Sequence, residues 1–198
     1  MDDGLRFGRK GYFSSEPQLQ GFTSCHDQRV TAPPELTGPR VRLVPCAPEH
    51  HARLREIHLE PEVRRWWQDP ADDFPASMNR SINYTVMLDK RVIGFAQWYS
   101  EDETIIRFAG LDLFLDPAVH GRGLGLDTVR VLCAHLIDDH GFHRIVADPE
   151  VENEIAIACF RKAGFRPVGV LREYLRDRFG VWKDGLLLDL LAKEFVRG

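Results

Sequence analysis

Asp112 interrupts the apolar run GLDLFLD, and nine residues later three glycines, Gly121, Gly123 and Gly125, precede a segment with helical apolar spacing. A carboxylate among leucines and phenylalanine is costly unless it has a partner or a task. A carboxylate so placed could act as a general acid or base, or hold a cation. The glycines suggest different chemistry. Without β-carbons they permit positive φ and let a ligand approach the backbone. The start of a helix offers unpaired N–H groups and a favourable dipole to an anion, so HGRGLG is a candidate diphosphate cradle, with Arg122 adding a cation. Two nucleotide motifs are excluded: Leu126 fills the last slot of G-x-G-x-x-G, and G-K-[ST] is absent. Taken alone, each feature has a plainer reading, a tight turn that binds nothing and a charge on a wet strand face.

These groups need a strand before the glycines and a helix after them, and the pattern supplies both. IIRFAGLDLFLD reads as a strand ended by Pro117, and Leu124, Val129, Leu132, Leu136 and Ile137 share a helix face. Upstream, RVRLVP reads as a strand, PEHHARLREIHL as a helix entered through proline, and PEVRRWWQD as a second short helix. YTVMLDKRVIGFAQWYS reads as a hairpin turning around Asp89, Lys90 and Arg91. Downstream come a short strand HRIVAD, a helix NEIAIACFRKAGF closing on Gly164, and two strands, FRPVGVLREYL and VWKDGLLLDLLAKEF. This order predicts an α/β (α+β) fold, a mixed central sheet with helices on both faces. Residues 1–38 lack periodicity and read as an extension or linker, leaving 39–198 as one domain.

Composition narrows the function classes. With 198 residues, 43% hydrophobic and 28% charged, one domain can bury a real core. A net charge of −4 gives no reason to expect nucleic acid or an anionic membrane as partner, and a neutral or cationic small molecule is easier to accommodate. Cys25, Cys46, Cys133 and Cys159 form no C-x-x-C pair, and no apolar run approaches a membrane span, so a soluble, unexported protein of the reducing cytoplasm is expected. His50, His51 and His58, with Cys46 nearby, fit no standard metal spacing and read as a wet helix face; no metal is assigned.

Residues His120 to Gly125 resemble the Q/R-x-x-G-x-G/A acetyl-CoA signature of the GCN5-related N-acetyltransferases (GNAT), and NEIAIACFRKAGF resembles the family helix N-x-x-A-x-x-x-Y-x-K-x-G-F. The likeness runs over roughly residues 40–195. Within the family, Trp66 and Trp67, IGFAQWY, GLDLFLD and IVADPEVENEIAIACFRKAGF are most similar to aminoglycoside 6'-N-acetyltransferases. It also reaches siderophore-type lysine acetyltransferases and ribosomal-protein N-terminal acetyltransferases. The resemblance implies acetyl-CoA as co-substrate, held by Leu113, Phe114, Leu115, His120, Gly121, Arg122, Gly123, Leu124, Gly125, Asn153, Ala156, Phe160 and Lys162. Amides around Leu113 and Phe114 would face the thioester oxygen. It implies a catalytic Asp112, and an acceptor cleft formed by Trp66, Trp67, Gln97, Tyr99, Glu101, Asp102 and Asp148. Asp69, Asp72, Asp73 and Glu103 would add negative charge for a polycationic amine. The protein is expected as monomer or homodimer.

Two departures and one mismatch qualify these implications. His120 replaces Gln or Arg at the signature's first position, tolerable where main-chain amides hold the diphosphate. Phe160 stands where many relatives have a tyrosine that would protonate the leaving thiolate, which leaves that proton to water and leaves open a non-catalytic acyl-CoA sensor. An ordinary aspartate near ~3.9 lies about six pKa units below an alkylammonium near ~10.4, so Asp112 must be tuned by its surroundings or act mainly by orienting the amine.

Overall fold

A computed structural model of the chain describes residues 32–78, 81–103 and 105–197, and the unit that carries the site runs Ala32–Gly198. Eight strands form one sheet: β1 (Leu36–Thr37), β2 (Arg42–Pro45), β3 (Ile82–Leu88), β4 (Arg91–Asp102), β5 (Arg107–Leu115), β6 (Arg144–Ala147), β7 (Arg166–Arg176) and β8 (Trp182–Leu191). Their order is β1-β2-β3-β4-β5-β6-β8-β7, antiparallel throughout except for the parallel pair β5–β6. The helices are α1 (Pro48–His58), α2 (Pro61–Arg64), α3 (Leu124–Asp138) and α4 (Glu154–Ala163).

Side-chain alternation along the strands separates two cores. Ala96 and Trp98 of β4 and Leu111 and Leu115 of β5 join Val129, Leu132 and Leu136 of α3 and Phe160 of α4 in the main core. On the opposite face, Phe95 and Phe114 pack with Leu54 and Ile57 of α1, Val63 of α2 and Phe74 in a smaller core. Helices therefore cover both faces, as the sequence predicts. The smaller core covers one end of its face and leaves a polar remainder, where Asp112 lies.

Two boundaries differ from expectation. Leu36 and Thr37, expected in the extension, pair with Leu43 and Arg42; Gly38 turns the chain, its N–H donating to Val41 O at 2.8 Å. A two-residue strand is too short for periodicity to mark. The rest of the expected extension, residues 1–31, lies outside the described residues. The helix expected over 61–69 stops at Arg64, because His58 Nε2–H takes the Gln68 carbonyl at 2.9 Å and the Gln68 amide donates to Arg176 O. Those contacts draw the chain out of helical register. Cys46, Cys133 and Cys159 are free thiols, and Cys25 lies outside the described residues.

Candidate active site

The glycine turn has the geometry expected of an anion cradle. Gly121 and Gly123 adopt φ of 72° and 76°, and Gly123 is the N-cap of α3. A glycine N-cap offers no side chain to the first-turn amides, which stay directed at whatever lies beyond the helix end. A Cβ at Gly121 would meet open space, and one at Gly125 only ordinary contacts with Cys159 and Leu115. Positive φ, more than crowding, therefore explains Gly121. The strand leading into the turn is pinned at its end. His120 donates Nε2–H to Leu115 O at 2.9 Å, and Asp116 accepts from Ala118 N–H at 2.9 Å and from Arg53 at 2.5 Å. His120 thus serves as a main-chain brace at the position where relatives carry Gln or Arg.

β5 and β6 pair only at Ala109↔Ile145 and Gly110↔Val146. Beyond Gly110, residues 111–115 run on without β6 beside them among the described residues. β6 pairs with none of these five residues, leaving room for an extended ligand arm beside them. Leu113 and Phe114, the expected oxyanion donors, lie in this segment.

Asp112 sits directly opposite Gln97, which in turn sits opposite Asn83. Gln97 is 3% exposed, so its amide needs partners on both sides. It donates Nε2–H to Asp112 Oδ2 at 3.2 Å and accepts from the Ser81 hydroxyl at 2.8 Å. Two residues along β4, Tyr99 lies across Gly110, its Cζ 2.1 Å from where a Cβ would stand, so any larger residue at 110 would push the ring aside. Asp148 accepts from Tyr174 O–H at 2.6 Å, and Tyr174 covers Gly185. Gln97, Tyr99 and Asp112 thus share one face of the sheet by strand alternation, and Asp148 follows the end of β6.

Other expected residues separate. Trp67 stands edge-on to Phe95 and Phe114 in the smaller core, whereas Trp66 lines an open cavity beside α2 under the Arg65 guanidinium. Glu101 and Asp102 belong to β4 itself, the turn following at Glu103, whose N–H bonds Ile106 O. Alternation puts Glu101 on the Asp112 face and Asp102 on the other, where Arg107 holds it at 2.8 Å. Asp69 is gripped by both guanidinium edges of Arg64 at 2.5 and 2.8 Å, and Asp72 lies 3.5 Å from Arg55. These acids arrive with their own cations and add little field for a polycation. Asp73 is exposed.

On α4, Asn153 Oδ1 accepts from Ala156 N–H at 3.1 Å, so its side-chain oxygen caps the helix. Lys162 is exposed. Phe160 is buried against Phe165 at 5.2 Å, inside the main core. The histidine face expected to be wet is so only in part, since His50 and His51 are half-exposed. His58 is 3% exposed among Trp67, Phe74 and Phe114, burial holding its pKa below the ordinary range, and His50 Nδ1 meets Thr85 Oγ1 at 3.0 Å. Among the described residues no three His, Cys, Asp or Glu could hold a metal ion, and no helix is long and apolar enough to cross a membrane.

Arg40 is the main residue that sequence reasoning missed. It donates Nε–H to Asp127 Oδ2 and a terminal N–H to Arg122 O, each at 2.6 Å, and lies 2.9 Å from the point where a Gly123 Cβ would stand. It clamps the glycine turn from outside. Ser81 and Tyr174, which hold Gln97 and Asp148, were also missed.

Comparison with known proteins bears on the same elements. The chain is 37% identical over 98 residues to the aminoglycoside N(6')-acetyltransferase type 1 of Klebsiella pneumoniae, covering 44% of this chain and 49% of that protein. The chain thus spans about half the length of that curated relative. AAC(6')-Ib, solved with paromomycin and acetyl-CoA, superposes with a TM-score of 0.68 at 26% identity, over 80% of this chain and 98% of that one. Mycobacterium smegmatis RimJ, solved with CoA-disulfide, shares the fold with a TM-score of 0.69 at 22% identity, over 81% of this chain and 87% of that one. Residues 40–166 match the acetyltransferase (GNAT) domain, and on that match the chain belongs to the GNAT acetyltransferase family.

Proposed function

We propose that the protein acetylates a primary amine with acetyl-CoA in a ternary complex, its first acceptor class being the 6'-amine of aminoglycosides. The observation that carries this reading is Asp112, held by Gln97 on the open polar face beside the part of β5 that β6 leaves uncovered. The α3 amides behind Gly123, with Arg122 beside them, would hold the diphosphate. Bound acetyl-CoA supplies the thioester carbonyl: the amine forms the C–N bond and the C–S bond to the thiol breaks. Asp112 orients the ammonium and receives its proton, directly or through water, while main chain near Leu113 and Phe114 faces the carbonyl oxygen. Water returns a proton to the thiolate, since Phe160 has none to give. Curated relatives bearing the aminoglycoside N(6')-acetyltransferase name support the acceptor class, and we place the reaction in the cytoplasm.

A second reading, a lysine-type or N-terminal amine, is favoured by Arg65 and Arg178 at the cavity beside α2, an unfavourable pair for a pure polycation. The test is thiol release from acetyl-CoA across aminoglycosides, polyamines and peptides. Release driven by kanamycin-type compounds supports the first reading, and release driven by peptides alone supports the second. Tight acetyl-CoA binding without acetylation of any amine overturns both in favour of a sensor.

A further inference from the structure

The cavity beside α2 has about 380 Å³ and lies against the turn that joins β7 to β8. Its walls carry four cations, Arg64, Arg65, Arg178 and Lys183, against Glu150, Glu152 and Asp177. Most of these charges are already engaged. Arg64 is bound by Asp69, and Lys183 lies 3.9 Å from Glu152. Asp177 Oδ1 accepts from the N–H groups of Phe179 and Val181, both at 2.9 Å, so this carboxylate serves the turn. Glu150 is 7% exposed, and burial pushes its carboxyl pKa up even with Lys183 and Arg65 nearby.

Arg65 and Arg178 remain. Each guanidinium lies over a ring, Arg65 at 4.5 Å from Trp66 and Arg178 at 4.4 Å from Phe179. Neither is in an ion pair within 4.0 Å among the described residues, and each acts only at longer range on a carboxylate, Arg178 on Asp69 and Arg65 on Glu150. Stacking fixes the plane of a guanidinium and uses none of its N–H groups, which leaves a flat donor edge suited to a carboxylate. One wall of the cavity is linked by contacts to Asp148. Glu150 bridges to Gly185, Gly185 lies under Tyr174, and Tyr174 donates to Asp148. The Gln68 amide, bonded to Arg176 O, ties the chain after α2 to β7 and holds the two walls together.

We propose that Arg65 and Arg178 form a carboxylate subsite beside the acceptor cleft, so that on the second reading above the acceptor is an amine that also bears a carboxylate, of amino-acid or peptide type. The inference rests on the amine-acetylation reading and specifies its second acceptor class. An aminoglycoside, which has no acidic group, would leave this subsite empty.

The test has two readouts. In the first, arginine Nε–H signals of the full chain are followed by NMR during titration with N-acetyl-L-alanine, its amide, or inorganic phosphate. The carboxylate should shift the Arg65 and Arg178 signals, the amide should not, and Arg178→Ala should weaken binding about ten-fold. In the second, thiol release with L-alanyl-L-alanine should exceed that with its C-terminal amide about ten-fold in kcat/KM, and Arg178→Ala should erase the preference. Both arginines are exposed, so their replacement leaves the fold intact. Equal shifts from acid and amide, or shifts from phosphate alone, overturn the subsite. Carboxylate binding without acetylation of any amine would uphold the subsite and sink the transferase reading. Acetylation with acid and amide treated alike would do the reverse.

Discussion

Arg40 and Asp127 meet at 2.6 Å across the outside of the glycine turn, and the same guanidinium holds the Arg122 carbonyl. One side chain from the start of the sheet thereby fixes both the turn and the first helical turn behind it. On the proposed reading, the α3 amides that would face a diphosphate are set before any ligand arrives, which would lower the ordering cost of binding.

Arg40→Ala should therefore raise KM for acetyl-CoA on the order of ten-fold while leaving KM for the amine nearly unchanged. Arg40→Lys, which cannot span both acceptors, should fall between. Initial-rate kinetics with each substrate varied in turn checks this split, and an equal rise in both constants would point to general disorder of the site.

Replacement of Asp112 by Asn keeps the size and an acceptor oxygen for Gln97 but removes the charge. Turnover should fall about 10²- to 10⁴-fold, with acetyl-CoA affinity by calorimetry and melting temperature close to those of the parent. Unaltered turnover would remove Asp112 from the mechanism.

The adjacent tryptophans should behave oppositely. Trp67→Ala removes packing against the smaller core among Phe95, Phe114 and His58 and should cost about 2–3 kcal/mol in denaturant unfolding. Trp66→Ala, at the cavity wall, should change stability by about 0.5 kcal/mol or less and raise KM for the acceptor.

His58 should make stability fall in mild acid. Burial depresses its pKa below the ordinary 6.5, the Gln68 carbonyl and Asp69 opposing that shift and Arg55 reinforcing it. The unfolded chain then binds the proton more readily than the native one, so stability declines as pH drops below about 6.5 and is independent of this residue above it. His140, also depressed by burial and by His135, adds to the same slope. Urea unfolding from pH 7.5 to 5 should show the decline, and His58→Gln should flatten it by at most about 1.4 kcal/mol per pH unit.

What could be read from the sequence was local. Positive φ at Gly121 and Gly123 and the lone carboxylate in β5 are marked by residue type within a few positions. Tyr99 over Gly110, Gln97 beside Asp112 and Tyr174 on Asp148 depend on strand register, which a single sequence does not reveal. Arg40 and Asp127 stand 87 positions apart and meet because β1 lies against α3. Trp66 and Trp67 are alike in sequence; the early stop of α2, caused by distant bonds to Gln68, decides which enters the core. Asp102 was misplaced because β4 runs three residues past Tyr99, so alternation turns that acid to the other face.

The most direct measurement is a crystal structure of the protein with CoA and an amine acceptor. The account predicts diphosphate oxygens at hydrogen-bond distance, about 3 Å, from the α3 amides behind Gly123, with the thiol directed along residues 111–115 toward the Asp112 face. A diphosphate bound away from that turn, or a thiol directed to the opposite face of the sheet, would contradict it.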